Sequence, residues 1–130
     1  MNSRTTIGAA LVVALFIAAC ATAPAEFRGD VLTDSKGMTL YTFGKDPVGS
    51  GRSVCNGRCA VNWPPLMAAA DARASGPFTV ITRDDGAKQW AYDGKPLYLW
   101  VKDKKPGDRT GDGVRNVWHV VKQPVRESGY

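Results

Sequence analysis

The sequence is short of the residues and motifs on which most enzyme active sites depend. It holds one histidine and three cysteines in 130 residues, and it lacks a phosphate loop, a dinucleotide fingerprint and a nucleophile motif. A metal centre normally takes several His, Cys, Asp or Glu ligands, so a single histidine leaves little from which to build one. We therefore expect no catalytic residue, no metal, no cofactor and no enzymatic activity.

Long apolar runs are equally scarce. The one present, residues 7–19, is too short to span a bilayer comfortably; it follows the basic Arg4 and ends at Ala18-Ala19-Cys20. Small residues before a cysteine are typical of a bacterial lipoprotein signal, which we assign to residues 1–19, with the Cys20 thiol taking the lipid. The alternative is an ordinary secretory signal in which Cys20 is incidental.

The segment after the signal predicts a tether. Residues 20–26 hold the anchor cysteine and an Ala/Thr/Pro-rich stretch without periodicity. Ala21 stands where an aspartate retains some lipoproteins in the inner membrane. These features predict a lipid-anchored protein of the bacterial cell envelope, attached to the outer membrane and facing the periplasm or the surface.

Charge of one sign does not dominate. Lys and Arg exceed Asp and Glu by 17 to 12, which gives a formal net charge of +5. A mild excess of this kind helps a protein near anionic lipid or glycan, but it is too scattered to indicate a nucleic-acid partner. The 14 glycines and 8 prolines favour a turn-rich, all-β chain.

A ten-residue pattern, Gly-x-x-Leu-Tyr-x-aromatic-x-Lys-Asp, occurs twice. The copies cover residues 37–46 and 94–103, a shift of 57 positions (94 minus 37). Such self-similarity marks an internal repeat. It predicts that Tyr41 and Tyr98 occupy equivalent places in two similar hairpins, with Leu40 and Leu97 beside them.

Alternating apolar residues and turn signals predict short antiparallel strands. A further match, Val31-Leu32-Thr33 with Val80-Ile81-Thr82, suggests that the first strand of each copy is equivalent. The predicted fold is an all-β, small antiparallel, sandwich-like domain of two related hairpin-containing halves. We expect strands at residues 27–33, 39–43, 78–83, 88–92, 96–100 and 116–122, and a helical turn within 66–74. The repeat domain is expected to cover residues 27–122, with its two copies near 31–66 and 80–121. Residues 123–130 are expected to form a tail.

At these residues the chain resembles a family of bacterial secreted or lipid-anchored proteins of unknown function. That family carries two copies of a Tyr-x-(Phe/Trp/Tyr)-x-x-Asp motif, here Tyr41, Phe43 and Asp46, then Tyr98, Trp100 and Asp103. The cysteines at 55 and 59 and the Trp-Pro-Pro-Leu run at 63–66 are also similar to the family. The resemblance implies a secreted or lipoprotein location and carries over no catalytic residue.

Two cysteines remain after Cys20. Cys55 and Cys59 lie four apart around a glycine, and in an exported chain this spacing favours a structural disulfide. The alternative is a redox or metal-binding pair in which His119 takes part.

The aromatic residues and the motif aspartates each have two interpretations. The aromatic set is expected to form the core, or else a platform for a sugar, peptide or quinone-like ring. Asp46 and Asp103 are expected to cap strand ends, with a paired-carboxylate site as the alternative.

The function predicted from the sequence is a non-enzymatic binding or interaction module of the envelope. Its partners are expected to be the membrane, through the lipid, and an envelope protein, glycan or small molecule. The alternative is a periplasmic redox or metal/haem-handling protein that uses Cys55, Cys59 and His119.

Overall fold

The computed structural model describes residues 8–13 and 22–126, and residues 8–13 carry no helix or strand. Cys20 and most of the predicted signal peptide therefore lie outside the described residues. Within the described ranges, no helix is long and apolar enough to cross a bilayer. The strands are β1 Ala25–Arg28, β2 Val31–Asp34, β3 Tyr41–Phe43, β4 Phe78–Thr82, β5 Lys88–Tyr92, β6 Lys95–Pro96 and β7 Trp118–Val120, with one helix, α1 Arg58–Asn62, and a 3₁₀ turn at Val114–Asn116.

The strands form small antiparallel sheets, which confirms the predicted fold class. β1 pairs with β2, β3 with β7, and β4, β5 and β6 form a three-stranded meander. The hairpin between β4 and β5 turns at Asp84-Asp85-Gly86, as the sequence predicts, because Gly86 adopts a φ of 86° that only glycine takes without strain.

The two copies are joined by exchanged segments. Tyr41 and Tyr98 donate their backbone N–H groups to each other's carbonyl oxygens, at 2.8 and 2.9 Å. The end of each copy then crosses to the other: the Leu32 N–H donates to Val121 O, and the Trp90 N–H donates to Leu66 O, both at 2.9 Å. The halves are thus related by an approximate two-fold axis that passes between the two tyrosines.

This symmetry corrects the alignment of the copies. Leu32 and Trp90 make matching hydrogen bonds, so β2 is equivalent to β5, and Val31-Leu32-Thr33 does not correspond to Val80-Ile81-Thr82. The apolar similarity of those triplets reflects strand composition, which many strands share.

The first predicted strand is in fact a hairpin. Residues 27–33 contain the two-residue turn Gly29-Asp30 between β1 and β2, and Gly29 has a φ of 64°. A Gly-Asp pair is a standard hairpin signal. β1 also begins at Ala25, which is buried, so the domain starts inside the predicted tether.

Other boundaries differ for local reasons. The strands predicted at 96–100 and 116–122 are shorter in the structure, at Lys95–Pro96 and Trp118–Val120. The second begins late because Asn116 has a φ of 57° that breaks an extended chain. The first ends early because the chain leaves β5 after Pro96, and Tyr98 bridges Tyr41 and Pro65 instead. The helical turn falls at α1 and not in residues 66–74. The start of that Ala-rich segment is held extended, because the Ala68 N–H donates to Lys88 O, and a single turn follows in which the Ala72 N–H donates to Ala69 O at 3.0 Å.

The core has two parts. The first is aliphatic and holds Leu32, Leu40 and Leu97, each with no exposed surface. Burying a leucine side chain stabilises a fold by about 1.5–3 kcal/mol. The second part contains Tyr41, Tyr98 and the tryptophans described next. Leu40 and Leu97 thus flank the two tyrosines as the repeat predicts.

Candidate functional site

The motif tyrosines and aspartates pair across the copies. The Tyr41 hydroxyl donates to Asp103 Oδ2 at 2.6 Å, and the Tyr98 hydroxyl donates to Asp46 Oδ2 at 2.5 Å. Both tyrosines have no exposed surface, and both aspartates are buried. The Tyr and Asp of one motif lie five residues apart, yet each contacts its counterpart from the other copy. One copy alone leaves both groups without these partners.

Each aspartate also closes the loop that follows its strand. Asp46 Oδ1 accepts the Val54 N–H at 2.8 Å. Asp103 Oδ1 accepts the N–H and the hydroxyl of Thr110, at 3.0 and 2.6 Å. Both carboxylates therefore cap backbone donors in addition to binding a phenol, which is why this position takes a short acidic side chain.

Burial keeps the two phenols protonated. It raises the pKa of Tyr41 and of Tyr98 above the ordinary range, and the hydrogen bond to a carboxylate raises each pKa further. Burial also raises the pKa of Asp46, opposed by the hydrogen bond from Tyr98. Each pair is thus a neutral phenol that donates to a buried carboxyl group.

The Asp46–Tyr98 pair belongs to a larger network that contains a buried cation. Arg83, 6% exposed, donates from Nη1 to Ser53 Oγ at 3.0 Å and to Gln89 Oε1 at 2.7 Å, and from Nη2 to the carbonyl of Cys55. Ser53 Oγ lies 2.6 Å from the Tyr98 hydroxyl oxygen. The Tyr41 hydroxyl oxygen instead accepts the Gly111 N–H at 3.2 Å.

Four aromatic rings form a continuous stack between the two pairs. Trp63 and Trp118 lie at its centre, 3.9 Å apart and nearly parallel. Phe43 stacks on the outer face of Trp118 at 4.2 Å, and Trp100 stacks on the outer face of Trp63 at 3.9 Å. Both faces of the central indoles are therefore covered.

The tyrosines meet this stack edge-on. Tyr41 contacts Trp63 with ring centroids 5.3 Å apart, and Tyr98 contacts Trp118 at 5.1 Å. These T-shaped contacts follow the two-fold relation. Aromatic pairs in such geometries add about 0.5–1.5 kcal/mol each beyond their burial.

A groove of about 340 Å³, here called the aromatic groove, opens beside the stack. Because the central indoles are stacked on both faces, they line it with ring edges, which carry the positive end of the aromatic quadrupole. Its charged lining side chains are all cationic: Lys45, Arg58 and Arg115. The other lining residues are Phe43, Cys59, Asn62, Trp63, Trp100, Val114, Val117 and Trp118.

The two repeat copies are the part of the chain that is similar to other proteins. A family model described as a secreted repeat of unknown function matches residues 26–67 and 79–122, well over half of the chain. The chain belongs to this family. No curated protein and no solved structure matches it.

In this secreted-repeat protein the disulfide borders the aromatic groove. Cys55 and Cys59 are bonded, with Cα atoms 5.2 Å apart, which confirms the predicted pairing. Cys55 is fully buried in the aromatic part of the core, while Cys59 is the second residue of α1 and lines the groove. The bond thus ties the groove wall to the carbonyl that Arg83 binds.

His119 does not join the cysteines in a metal site. Its ring is exposed on the face of β7 opposite Trp118, with Nε2 3.3 Å from Asn116 O. No group of three or more His, Cys, Asp or Glu side chains in residues 8–13 and 22–126 is placed to hold a metal ion. The alternative based on Cys55, Cys59 and His119 thus lacks a ligand cluster in the described chain.

The structure brings all six motif residues together around the stack, and it adds three residues that the sequence analysis did not single out. Arg83, Ser53 and Gly111 have no counterpart in the repeat pattern that would identify them. Trp63 and Trp118 do carry a signal, since they recur at a shift of 55 positions (118 minus 63), close to that of the motif.

Proposed function

We propose that this secreted-repeat protein is a lipid-anchored, non-enzymatic binding module of the cell envelope, and that the aromatic groove binds an organic anion. The observation that carries this proposal is the combination of aromatic ring edges with Lys45, Arg58 and Arg115 and no acidic lining residue. The ring edges and the cationic side chains both attract an anion that has a planar apolar part. A carbohydrate gains no stacking from the central indoles, because both faces of these rings are covered.

Export and anchoring are supported by three features. The family is described as secreted, the chain carries Ala18-Ala19-Cys20 after an apolar run, and the disulfide suits an oxidising compartment. Since β1 begins at Ala25, residues 20–24 would form the tether. Fully extended, they reach roughly 15–18 Å, so the domain would stay close to the lipid headgroups.

Lipidation is tested by mass spectrometry of the amino-terminal peptide of the mature protein. The proposal expects a peptide that begins at Cys20 and carries acyl chains. An unmodified Cys20 thiol, or cleavage at another site, contradicts it.

Anion binding is tested with matched probes. We expect 2-naphthoate to bind the purified mature protein more tightly than its neutral isostere 2-naphthamide, with an affinity that falls as salt rises. Calorimetric titration measures both. Equal affinities for the two probes would contradict the proposal.

Variants locate the binding site. Lys45→Gln combined with Arg58→Gln should weaken 2-naphthoate binding by about tenfold, the effect of losing about 1.4 kcal/mol. Lys36→Gln combined with Arg73→Gln is the matched control, because it removes the same two charges and both residues are exposed and do not line the groove. An equal loss in the control would point to overall charge and not to this groove.

A further inference from the structure

The contacts in the aromatic part of the core suit the movement of an electron and a proton. Indole and phenol are the side chains most readily oxidised by one electron. Here three indoles and two phenols lie in one cluster, with successive stacked rings 3.9–4.2 Å apart. Rings in van der Waals contact exchange electrons readily, since electronic coupling falls steeply with distance.

Each phenol already has its proton acceptor in place. An oxidised phenol is a strong acid, so losing an electron at neutral pH requires losing the hydroxyl proton as well. Asp103 Oδ2 lies 2.6 Å from the Tyr41 hydroxyl, and Asp46 Oδ2 lies 2.5 Å from that of Tyr98. The phenol proton can therefore move along a hydrogen bond that already exists, and no base has to diffuse into the core.

The indole at one end of the stack, Trp100, lacks such an acceptor. Trp100 Nε1 is buried and has no hydrogen-bond partner among the described residues. An indole radical cation that keeps its N–H proton remains a stronger oxidant than the neutral indolyl radical. The difference in proton acceptors therefore drives oxidation from Trp100 towards the phenols.

We propose that the stack and the two crossed Tyr–Asp pairs form a one-electron relay that intercepts small inorganic radicals at the aromatic groove and holds the oxidising equivalent as a buried tyrosyl radical. This activity does not depend on the groove binding an organic anion. The cations that line the groove favour radicals that are themselves anions, such as the carbonate radical anion.

The steps balance without further reactants. The inorganic radical takes one electron from an indole of the stack and leaves as a closed-shell anion. The indole radical cation recovers an electron from Tyr41 or Tyr98, whose O–H bond breaks as the proton moves to the paired Asp103 or Asp46 carboxylate. An external one-electron reductant of the thiol or phenol class later returns the electron, and the proton goes back to the phenolate oxygen.

Pulse radiolysis of the mature protein with azidyl radical, which oxidises indoles in preference to phenols, tests the relay. We expect the visible absorption of the indole radical to decay as the phenoxyl absorption grows, with a first-order rate that is independent of protein concentration. A missing phenoxyl signal, or a rate that rises with protein concentration, overturns the proposal.

Variants assign the electron and proton steps. Combined Tyr41→Phe and Tyr98→Phe should remove the phenoxyl growth, although Tyr92 and Tyr130 remain. Combined Asp46→Asn and Asp103→Asn keep both phenols and should slow the growth about 100-fold, as expected for loss of a positioned proton acceptor. Unchanged growth in either variant contradicts the relay.

These variants remove buried hydrogen bonds, so a comparison that needs no substitution accompanies them. In guanidinium the wild-type chain loses the ring contacts, and transfer should slow at least about tenfold, since the proximity of the groups is lost. In folded wild-type protein, transfer should also slow in heavy water. Equal rates in the folded and unfolded chain would show that the stack has no part in the transfer.

Discussion

The two crossed Tyr–Asp pairs have the same motif geometry but different surroundings. The Asp46–Tyr98 pair lies beside a buried arginine, a serine hydroxyl and a disulfide, whereas the Asp103–Tyr41 pair is completed by Thr110 and a glycine N–H. The repeat therefore supplies the positions of rings and carboxylates. The loop after each motif supplies the polar partners, and the β4–β5 hairpin adds a buried cation, Arg83, beside only one of the two pairs.

Removing that cation should have the largest effect. Arg83→Met leaves Ser53, Gln89 and the Cys55 carbonyl without their donor inside the core. We expect a loss of about 3–5 kcal/mol in the free energy of unfolding, the range for breaking a buried charged network. Urea unfolding measures it. A loss below about 1 kcal/mol, small for any buried group, would make the difference between the pairs unimportant.

Alkaline pH should act on both pairs together. The phenol pKa values are raised in the folded state, so stability is intact below pH of about 10 and falls as pH rises further, by about 1.4 kcal/mol per pH unit for each phenol. The reason is that the unfolded chain releases protons that the folded chain keeps. Urea unfolding at a series of pH values gives the slope.

The single Tyr41→Phe and Tyr98→Phe variants sharpen this result. Above pH of about 10, each variant should reduce the fall in the free energy of unfolding by about 1.4 kcal/mol per pH unit, because each removes one phenol whose pKa is raised in the folded state. A slope that neither variant changes would assign the alkaline loss to other groups.

Gly111 packs closely against the aromatic stack. A Cβ built on Gly111 would lie 2.8 Å from the Trp63 ring and 3.0 Å from Trp100, so Gly111→Ala should cost about 1–3 kcal/mol through overpacking. In the other copy, the Val54 N–H donates to Asp46 as the N–H of Thr110, the neighbour of Gly111, donates to Asp103, and Val54 is half exposed. Val54→Ala, the matched control, should change stability by less than about 0.5 kcal/mol. Similar losses at both sites would mean that the close approach to the stack does not matter.

The disulfide is joined to the Asp46–Tyr98 network through the Cys55 carbonyl that Arg83 binds. Replacing Cys55 and Cys59 together by Ser should leave the fold standing and cost about 1–3 kcal/mol, low for a disulfide because the loop is small. Equilibrium unfolding with and without reductant measures the loss. Complete unfolding of the double variant would show that the bond holds more than one loop.

Sequence patterns predicted what is local in this fold. The β4–β5 hairpin follows from Asp84-Asp85-Gly86, and the Cys55–Cys59 bond from spacing and export. The β1–β2 hairpin was missed because Phe27 to Thr33 contains enough strand-forming residues to mask Gly29-Asp30, although that pair is a turn signal.

The contacts between the two copies could not be predicted from local sequence patterns. The motif's Tyr and Asp are close in sequence, which suggests a local contact, and nothing within one copy indicates that each binds the other copy. The recurrence of Trp63 and Trp118 at nearly the motif's shift was the available signal for the stack. Arg83 has no repeat counterpart, so only the structure could place it in the core.

The crossing of the two pairs is tested most directly by two double-mutant cycles. Combining Tyr41→Phe with Asp103→Asn should give a coupling energy of about 1 kcal/mol or more, because these groups share a hydrogen bond, while Tyr41→Phe with Asp46→Asn should be additive within about 0.5 kcal/mol. Urea unfolding of the wild type, the three single variants and the two double variants supplies both values. Coupling confined to Tyr41 and Asp103 is the predicted result. Coupling between Tyr41 and Asp46, with additivity across the copies, would contradict the crossed arrangement.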